Sequence, residues 1–444
     1  MRFSFTTASI CLAAIGLPAL AQEGTSTDLS EAVASGLAVD PESQAARFAR
    51  EAVAADRDEA RAAFSPNFIG EASAGARRLE NTTRRNLGIA GDVLYPLEAY
   101  VEGDLTLFDA GRRSALVRQQ EALLQAAGLR IEAQDEAAAL EISRLYLEVS
   151  LQRRILDAAV ENVATHQDMV ARMQGGVDRG LIGLPELQLA QQRLETARVR
   201  EIEAEQALLD ARRALELRTG LDIADTSAPP DLAGALPQGG AEREALLREN
   251  PALQAADAEA QAAGEAARAA RAELYPAVGT DVAARGGEDI DGFRGETSDL
   301  RGRVYVRWNL FDGGARRARY EAAQNRAAET RSRAAAVRRD TETDFLQTLN
   351  SYQSLLNIEQ AYEREVAASS GLLNSYRAQF EIDRRTLFDL LEAQDTLFST
   401  RVRYESTRHA RFLSTYRALA SLERLLDALG VEEPQAAADI YGPE

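Results

Sequence analysis

Asp299-Leu300-Arg301-Gly302-Arg303-Val304-Tyr305-Val306-Arg307-Trp308-Asn309-Leu310-Phe311-Asp312-Gly313-Gly314 is the stretch that decides how the rest of the chain is read. Val304, Val306, Trp308 and Leu310 share one parity; Tyr305, Arg307 and Asn309 share the other. Successive side chains of an extended strand point to opposite faces, so this is a ribbon with one apolar and one wet side. A near copy of its end, Leu107-Phe108-Asp109-Ala110-Gly111, stands 203 residues earlier. Under that shift the apolar set falls on Val101, Gly103, Leu105 and Leu107, and the polar set on Glu102, Asp104 and Thr106. Both copies hold the same phase, as a wall with lipid outside and water inside demands.

The duplication extends along the chain. The shift of 203 also superposes Leu184 on Leu387, Glu186 on Asp389, Leu187 on Leu390 and Gln191 on Gln394. Asp40-Pro41 matches Asn250-Pro251 and Pro66 matches Pro276 at a shift of 210, so seven extra residues lie between Pro66 and Leu107. Two long copies indicate a doubled fold rather than a short-period solenoid. Arg2, an apolar run over 3–17 and Ala19-Leu20-Ala21 read as a secretory signal over 1–21, too short to span a membrane. The first repeat is then expected over 22–225 and the second over 241–430. Between them 226–240, with three prolines and three glycines, reads as a linker, and 431–444 as a tail.

Each half predicts a helix, two strands, a very long helix, a break and a return helix. Residues 112–174 contain no proline and one glycine, Gly128. Ile142, Val149, Leu156, Val163 and Val170 recur at sevens, with Leu145, Ala159 and Met173 on a second seam, which is coiled-coil periodicity. At about 1.5 Å per residue this is a rod of about 95 Å. The second half answers over 314–380, where Leu355, Tyr362 and Tyr376 keep the spacing. Breaks are expected at 175–183 and 381–386, and return helices to 218 and 426. Earlier helices and strands are expected at 41–64, 67–77 and 277–285. Phe68, Ala72 and Val282 fall on one strand parity, and Glu71 and Asp281 on the other. The segments 78–94 and 286–298 read as exposed loops. Four strands cannot close a barrel, and open edges are not tolerated in hydrocarbon, so several chains must pool them.

Composition removes other classes. The 444 residues carry 70 acidic and 51 basic side chains, a net charge of −19, and every basic one is arginine. Without lysine there is no Walker-type phosphate loop and no Schiff-base chemistry. The single cysteine, Cys11, falls in the expected signal, which leaves no disulfide, no cysteine zinc site and no lipid-anchor thiol. His166 and His409 lack partners at ligand spacing and read as structural. No enzyme, metal, cofactor or nucleic-acid function is expected from this acidic chain.

The doubled plan resembles the TolC family of outer-membrane channel-tunnels. The likeness rests on the two Asn/Asp-Pro helix starts, the Leu-Phe-Asp-x-Gly strand ends and two turn motifs. These are Arg179-Gly180-Leu181-Ile182-Gly183-Leu184-Pro185-Glu186-Leu187 and Arg385-Thr386-Leu387-Phe388-Asp389-Leu390-Leu391-Glu392. The resemblance implies a mainly α fold with membrane β. Long coiled-coil helices would form an α-helical barrel, and four strands per chain would enter a shared trimeric transmembrane β-barrel. It implies an outer-membrane homotrimer with a periplasmic tunnel, a periplasmic adaptor, and an inner-membrane ABC or proton-driven transporter. Gly180, Leu181, Gly183, Leu184, Thr386 and Leu387 would be adaptor-docking tips. Asp389 and Glu392, three apart on one helical face, would form carboxylate rings at the aperture, with Arg385 and Glu186 as a compensating pair. Asp383 stands where the family's second tip usually has glycine. The 145–169 stretch, with Tyr146-Leu147-Glu148 and Glu161-Asn162-Val163-x-x-His166, looks more like channels that export large adhesins by type I secretion. Multidrug efflux is the alternative. A soluble adaptor or coiled-coil scaffold would not repeat twice with in-phase strands.

Overall fold

The computed structural model describes residues 26–382 and 384–431. The expected signal peptide, Asp383 and the tail beyond Val431 lie outside them. In chain order the elements are α1 (Leu29–Val39), α2 (Pro41–Ala62), β1 (Asn67–Ala74), β2 (Arg77–Arg78), α3 (Thr82–Asn86), β3 (Val93–Leu94), β4 (Leu97–Phe108), α4 (Arg112–Asp178) and α5 (Leu184–Thr219). A second series follows: α6 (Gly240–Glu249), α7 (Pro251–Ala272), β5 (Ala277–Glu288), β6 (Glu296–Arg307), α8 (Ala315–Phe380), α9 (Leu387–Ala420) and α10 (Leu425–Leu429).

Asp40 and Asn250 show why the two Asx-Pro pairs start helices. Their side chains accept the N–H of Ser43 (2.9 Å) and Leu253 (3.0 Å), and the following proline supplies the fixed φ of a first helical residue. The same caps reach the end of the return helix. Asp40 pairs with Arg218 at 2.9 Å, and Asn250 Nδ2 donates to the Ser421 carbonyl at 3.4 Å; Arg218 and Ser421 are themselves 203 apart. Each repeat therefore ties its entry helix to the end of its return helix, with both packed along one long helix.

The long helices run further than the glycines suggested. α4 has 67 residues, about 100 Å at 1.5 Å each, and passes through Gly175 and Gly176 to Asp178. Gly176 is tolerated because Ile182 packs onto it: a Cβ there would lie 2.4 Å from Ile182 Cδ1. The segment between the repeats is not featureless. Thr27 bridges Thr226 in parallel, 233–235 forms a 3-10 turn, and Tyr146 of α4 donates its hydroxyl to the Thr27 carbonyl at 2.9 Å. The main apolar cluster gathers there, with Leu29, Val33, Ile142, Val149, Leu215, Phe345 and Tyr416.

The two repeats are buried unequally. α4 packs against α2, α5, α7 and α9, and 20 of its 67 residues are buried. α8, its copy, packs against α7 and α9, and five of 66 are buried. α7 buries nine residues and its copy α2 one, Ser43. Heptad positions Leu355, Tyr362 and Tyr376 are accordingly only half-buried. Identical sequence periodicity with different burial means that α2 and α8 each carry a seam that this chain alone does not cover.

At the end of α9, Glu136 of α4 caps α10 by accepting the N–H groups of Leu425 and Leu426 (3.1 Å for the latter). Burial pushes its carboxyl up to about 7, against the pull of those two hydrogen bonds. Glu423, in the left-handed region at φ 56°, is pushed up to about 8 by burial and by Glu136 and Glu132. A carboxyl whose pKa is raised on folding binds more protons folded than unfolded, so stability falls as pH rises. The junction should therefore lose hydrogen-exchange protection from about pH 5 to about pH 8, the window bounded by the ordinary and raised values. Glu136→Gln should flatten that dependence; an unchanged slope would assign it elsewhere.

Candidate functional site: a two-faced wall and two helical tips

The four long strands form one antiparallel sheet in the order β1-β4-β5-β6, so β1 and β6 are unpaired edges. Register aligns the two parities across the sheet. Phe68 faces Gly103 and Val282; Val101 faces Gly70 and Ala284; Val304 and Val306 face Thr280 and Val278. Val101, Val282, Leu300, Val304 and Val306 are exposed. The opposite face carries Glu98, Tyr100, Glu102, Asp104, Asp281, Arg285, Arg301, Arg303 and Tyr305 in register. These groups are hydrogen-bonded or ion-paired to one another. Tyr305 donates to Asp104 at 2.7 Å, Tyr100 to Glu102, and Arg285 to Glu98, while Asp281 holds Arg303 at 2.5 Å and Arg301 at 3.7 Å.

The sheet departs from the expected alternation at its lower end. A bulge between Thr106 and Phe108 places Phe108 opposite Val278, so Phe108 joins Leu107 among the exposed apolar groups. β6 stops at Arg307, so Trp308, Asn309 and Leu310 lie beyond the strand. There Trp308 Nε1 donates to the Leu274 carbonyl at 3.3 Å, and the Asn309 carbonyl accepts from Arg316. Phe64, Phe108, Tyr275, Trp308 and Phe311 are all exposed around this junction of strands and helices.

The Leu-Phe-Asp-x-Gly ends build the turn from strand to helix. Asp109 accepts the N–H of Gly111 (3.2 Å) and Arg113 (3.0 Å) and the Arg113 guanidinium (2.9 Å), while Arg113 reaches the Ala63 carbonyl (3.2 Å). Asp312 repeats this with Gly314 (3.1 Å), Arg316 N–H (3.2 Å) and guanidinium (2.8 Å), and Arg316 reaches the Glu273 carbonyl (2.9 Å). Gly111 and Gly314 sit at φ 84° and 89°, which favours glycine. The arginine four residues past the aspartate, unremarked in the sequence, is the half of the motif that ties strand, entry helix and long helix together.

At the far end, the first tip closes as a helix C-terminal turn. Gly180, at φ 71°, donates to the Val177 carbonyl (2.9 Å) and Leu181 to that of Gly176 (2.9 Å). Leu181 is 74% exposed and Leu184 and Glu186 are exposed. Gly183 lies under the Glu186 carboxylate, 2.7 Å from where a Cβ would stand. The second tip differs. Leu387 is 5% exposed and belongs to a core with Met169, Met173, Leu187, Leu390 and Leu391, so it is not a surface docking residue. The physical reason is that α9 packs against both α8 and α4, whereas α5 packs against α4 and has only slight contact with α9. Phe388 and Ile382 are the exposed apolar groups here, and the sequence reading missed both.

Asp389 has an unanticipated partner. It completes a capping box with Thr386, accepting the Thr386 N–H (3.1 Å) and hydroxyl (2.8 Å) while its own N–H meets the Thr386 hydroxyl (3.2 Å). The hydroxyl hydrogen bond chiefly holds its carboxyl below the usual range. The Thr-x-x-Asp spacing was a legible signal for this. Arg385 lies 3.9 Å from Asp389, stacks on Tyr376 at 4.3 Å and donates to Gln379 at 3.2 Å. Its contacts are thus within its own tip rather than with Glu186. Glu392 is exposed. Between the tips runs a groove of about 410 Å³, lined by Met169, Met173, Ile182, Phe380 and the guanidinium-bearing Arg172 and Arg377. His166 and His409 are pushed down by burial, and among the described residues no cluster is placed to hold a metal.

Known proteins share this plan. Protein CyaE of Bordetella pertussis is 30% identical over 275 residues, 60% of this chain, and the match spans 56% of CyaE. Outer membrane efflux protein BepC of Brucella suis is 21% identical over 392 residues, 87% of this chain and 82% of BepC. The Campylobacter jejuni CmeC outer membrane channel superposes with a TM-score of 0.78 over 98% of this chain and 95% of CmeC, at 14% identity. These relatives are channel proteins, not enzymes. The model of the outer membrane efflux protein family matches 33–221 and 243–430, one stretch for each repeat. With both repeats matched and the channel fold in place, the chain belongs to the outer membrane efflux protein family, the TolC-like channels.

Proposed function

We propose that this chain is one subunit of an outer-membrane exit duct, in which three copies close a common barrel and tunnel. One observation carries the reading: the chain is open along two opposite edges that match each other. β1 and α2 leave one side unpaired, β6 and α8 the other. A contact of one edge with the opposite edge of the next copy is heterologous, and such contacts form a closed ring when the rotation closes. Three copies of a four-stranded sheet give twelve strands. Strands of 12 residues span about 40 Å, which at a tilt of about 45° covers the apolar band of an outer-membrane barrel. The exposed aromatics at the strand-helix junction mark the lower membrane boundary, and α4 and α8 extend into the periplasm.

The tips then face an adaptor through Gly180, Leu181, Gly183, Leu184, Thr386 and Phe388, with an inner-membrane pump beyond it. The likeness to CyaE supports type I secretion as the role; BepC, an outer membrane efflux protein matched over more of the chain, supports efflux as the second reading. Membranes washed with carbonate should retain the protein, and detergent should release it as an oligomer. Recovery in the soluble periplasm would overturn the duct. A deletion strain that loses a surface adhesin but keeps drug tolerance identifies secretion, and the reverse outcome identifies efflux.

A further inference from the structure

The end of the sheet away from the helices is closed by two connections, 75–96 between β1 and β4 and 289–295 between β5 and β6. The first was expected to be an open polar loop, yet it contains β2, α3, β3 and a guanidinium that is 1% exposed, Arg84. Arg84 donates to the Ile89 carbonyl at 2.8 Å, the Asp92 carbonyl at 3.3 Å and, across to the other connection, the Gly292 carbonyl. No ion pair of Arg84 occurs among the described residues, so backbone carbonyls alone offset its burial. A buried cation is costly unless partnered, so any separation of the two connections strands it. Asp289 adds a second tie, accepting from Tyr95 (3.3 Å) and Gly295 (3.1 Å), and Leu79 packs against Gly292, whose φ of 86° suits glycine.

The direction of lean is fixed by the sheet. Arg285, on the polar face beside Glu98, also holds Asp291 of the second connection at 3.1 Å. Ile290, fully covered, sits 3.0 Å from where a Cβ on Gly287 would stand, and Gly287 pairs with Glu98 on that same face. Both contacts bend the second connection over the polar side, and Arg84 draws the first after it. We propose that the two connections form a single lid, pinned by Arg84 and anchored through Asp291 to Arg285, which leans over the polar face and narrows the outer mouth. This rests on the reading that the polar face lines a lumen.

The described residues contain no cysteine, so Thr106→Cys places a lone thiol on the polar face near the periplasmic end. Intact cells are treated from outside with a small charged maleimide and with a bulky polyethylene-glycol maleimide. The small reagent should label Thr106→Cys in every background. The bulky one should label it slowly with the lid intact, and about tenfold faster when Arg84→Gln removes the pin, the effect of losing one charged hydrogen bond. Asp291→Asn, a change at a partly exposed side chain, should give the same gain and decides the matter if Arg84→Gln does not assemble. Equal bulky labelling in all three would overturn the lid and leave the lumen reading standing. Failure of the small reagent to reach Thr106→Cys in any background would overturn the lumen reading, and the lid with it.

Discussion

Val101→Arg should abolish assembly in the outer membrane, while Glu102→Arg, its neighbour at the same depth, should leave it almost intact. Val101 sits near the middle of β4, opposite Gly70 and Ala284 on the apolar face. An arginine facing lipid near the bilayer midplane costs about 2–4 kcal/mol. With three copies in one barrel the cost is about 6–12 kcal/mol, comparable to the whole stability of a folded domain. At Glu102 the same side chain would sit on the polar face beside Tyr100, and the loss is one hydrogen bond. The measurement is the amount of detergent-extracted, heat-modifiable oligomer in outer-membrane fractions. Equal yields of both variants would mean that the apolar face does not meet lipid.

That contrast could be written from the sequence, because parity in a strand is strict and the duplication supplied an internal control. A one-residue error in either copy would have thrown Val304 and Val101 out of phase. Helix starts were legible for the same reason: Asp40-Pro41 and Asn250-Pro251 are local signals whose effect does not depend on tertiary context. What escaped the sequence was everything set by neighbours. Gly175 and Gly176 looked like a helix end, but the helix runs on to Asp178, and the glycine at 176 leaves room for Ile182. Leu184 and Leu387 are equivalent by duplication and differ in exposure, because α9 packs against both α8 and α4, whereas α5 packs against α4 and only slightly against α9. Arg84 was one more arginine in a polar stretch, since no local pattern announces a carbonyl cage formed from segments 208 residues apart. The acidity sharpened in the same way. On the polar face of the sheet Glu98 and Asp281 pair with arginine, whereas Glu102 and Asp104 accept from tyrosine hydroxyls, which leave a carboxylate's charge in place.

At the tips, two carboxylates expected to act alike should separate. Glu392→Gln removes an exposed charge and should lower cation selectivity, seen as a shift in reversal potential, without changing open probability. Asp389→Ala removes the N3 half of the capping box of α9 and should raise open probability. The cap fixes the first turn of α9, which seats Leu387, Leu390 and Leu391 in the cluster with Met169 and Met173. Breaking the box loosens that turn in all copies that close together, so the closed-to-open ratio should fall by about tenfold or more. Thr386→Ala distinguishes the cap from the charge, because it breaks the same box and leaves the carboxylate in place. If capping governs closure, Thr386→Ala and Asp389→Ala should open the channel alike in planar bilayers. If Thr386→Ala is silent while Asp389→Ala opens it, closure is instead governed by the carboxylate and its neighbour Arg385. Three silent variants would remove this turn from the gate.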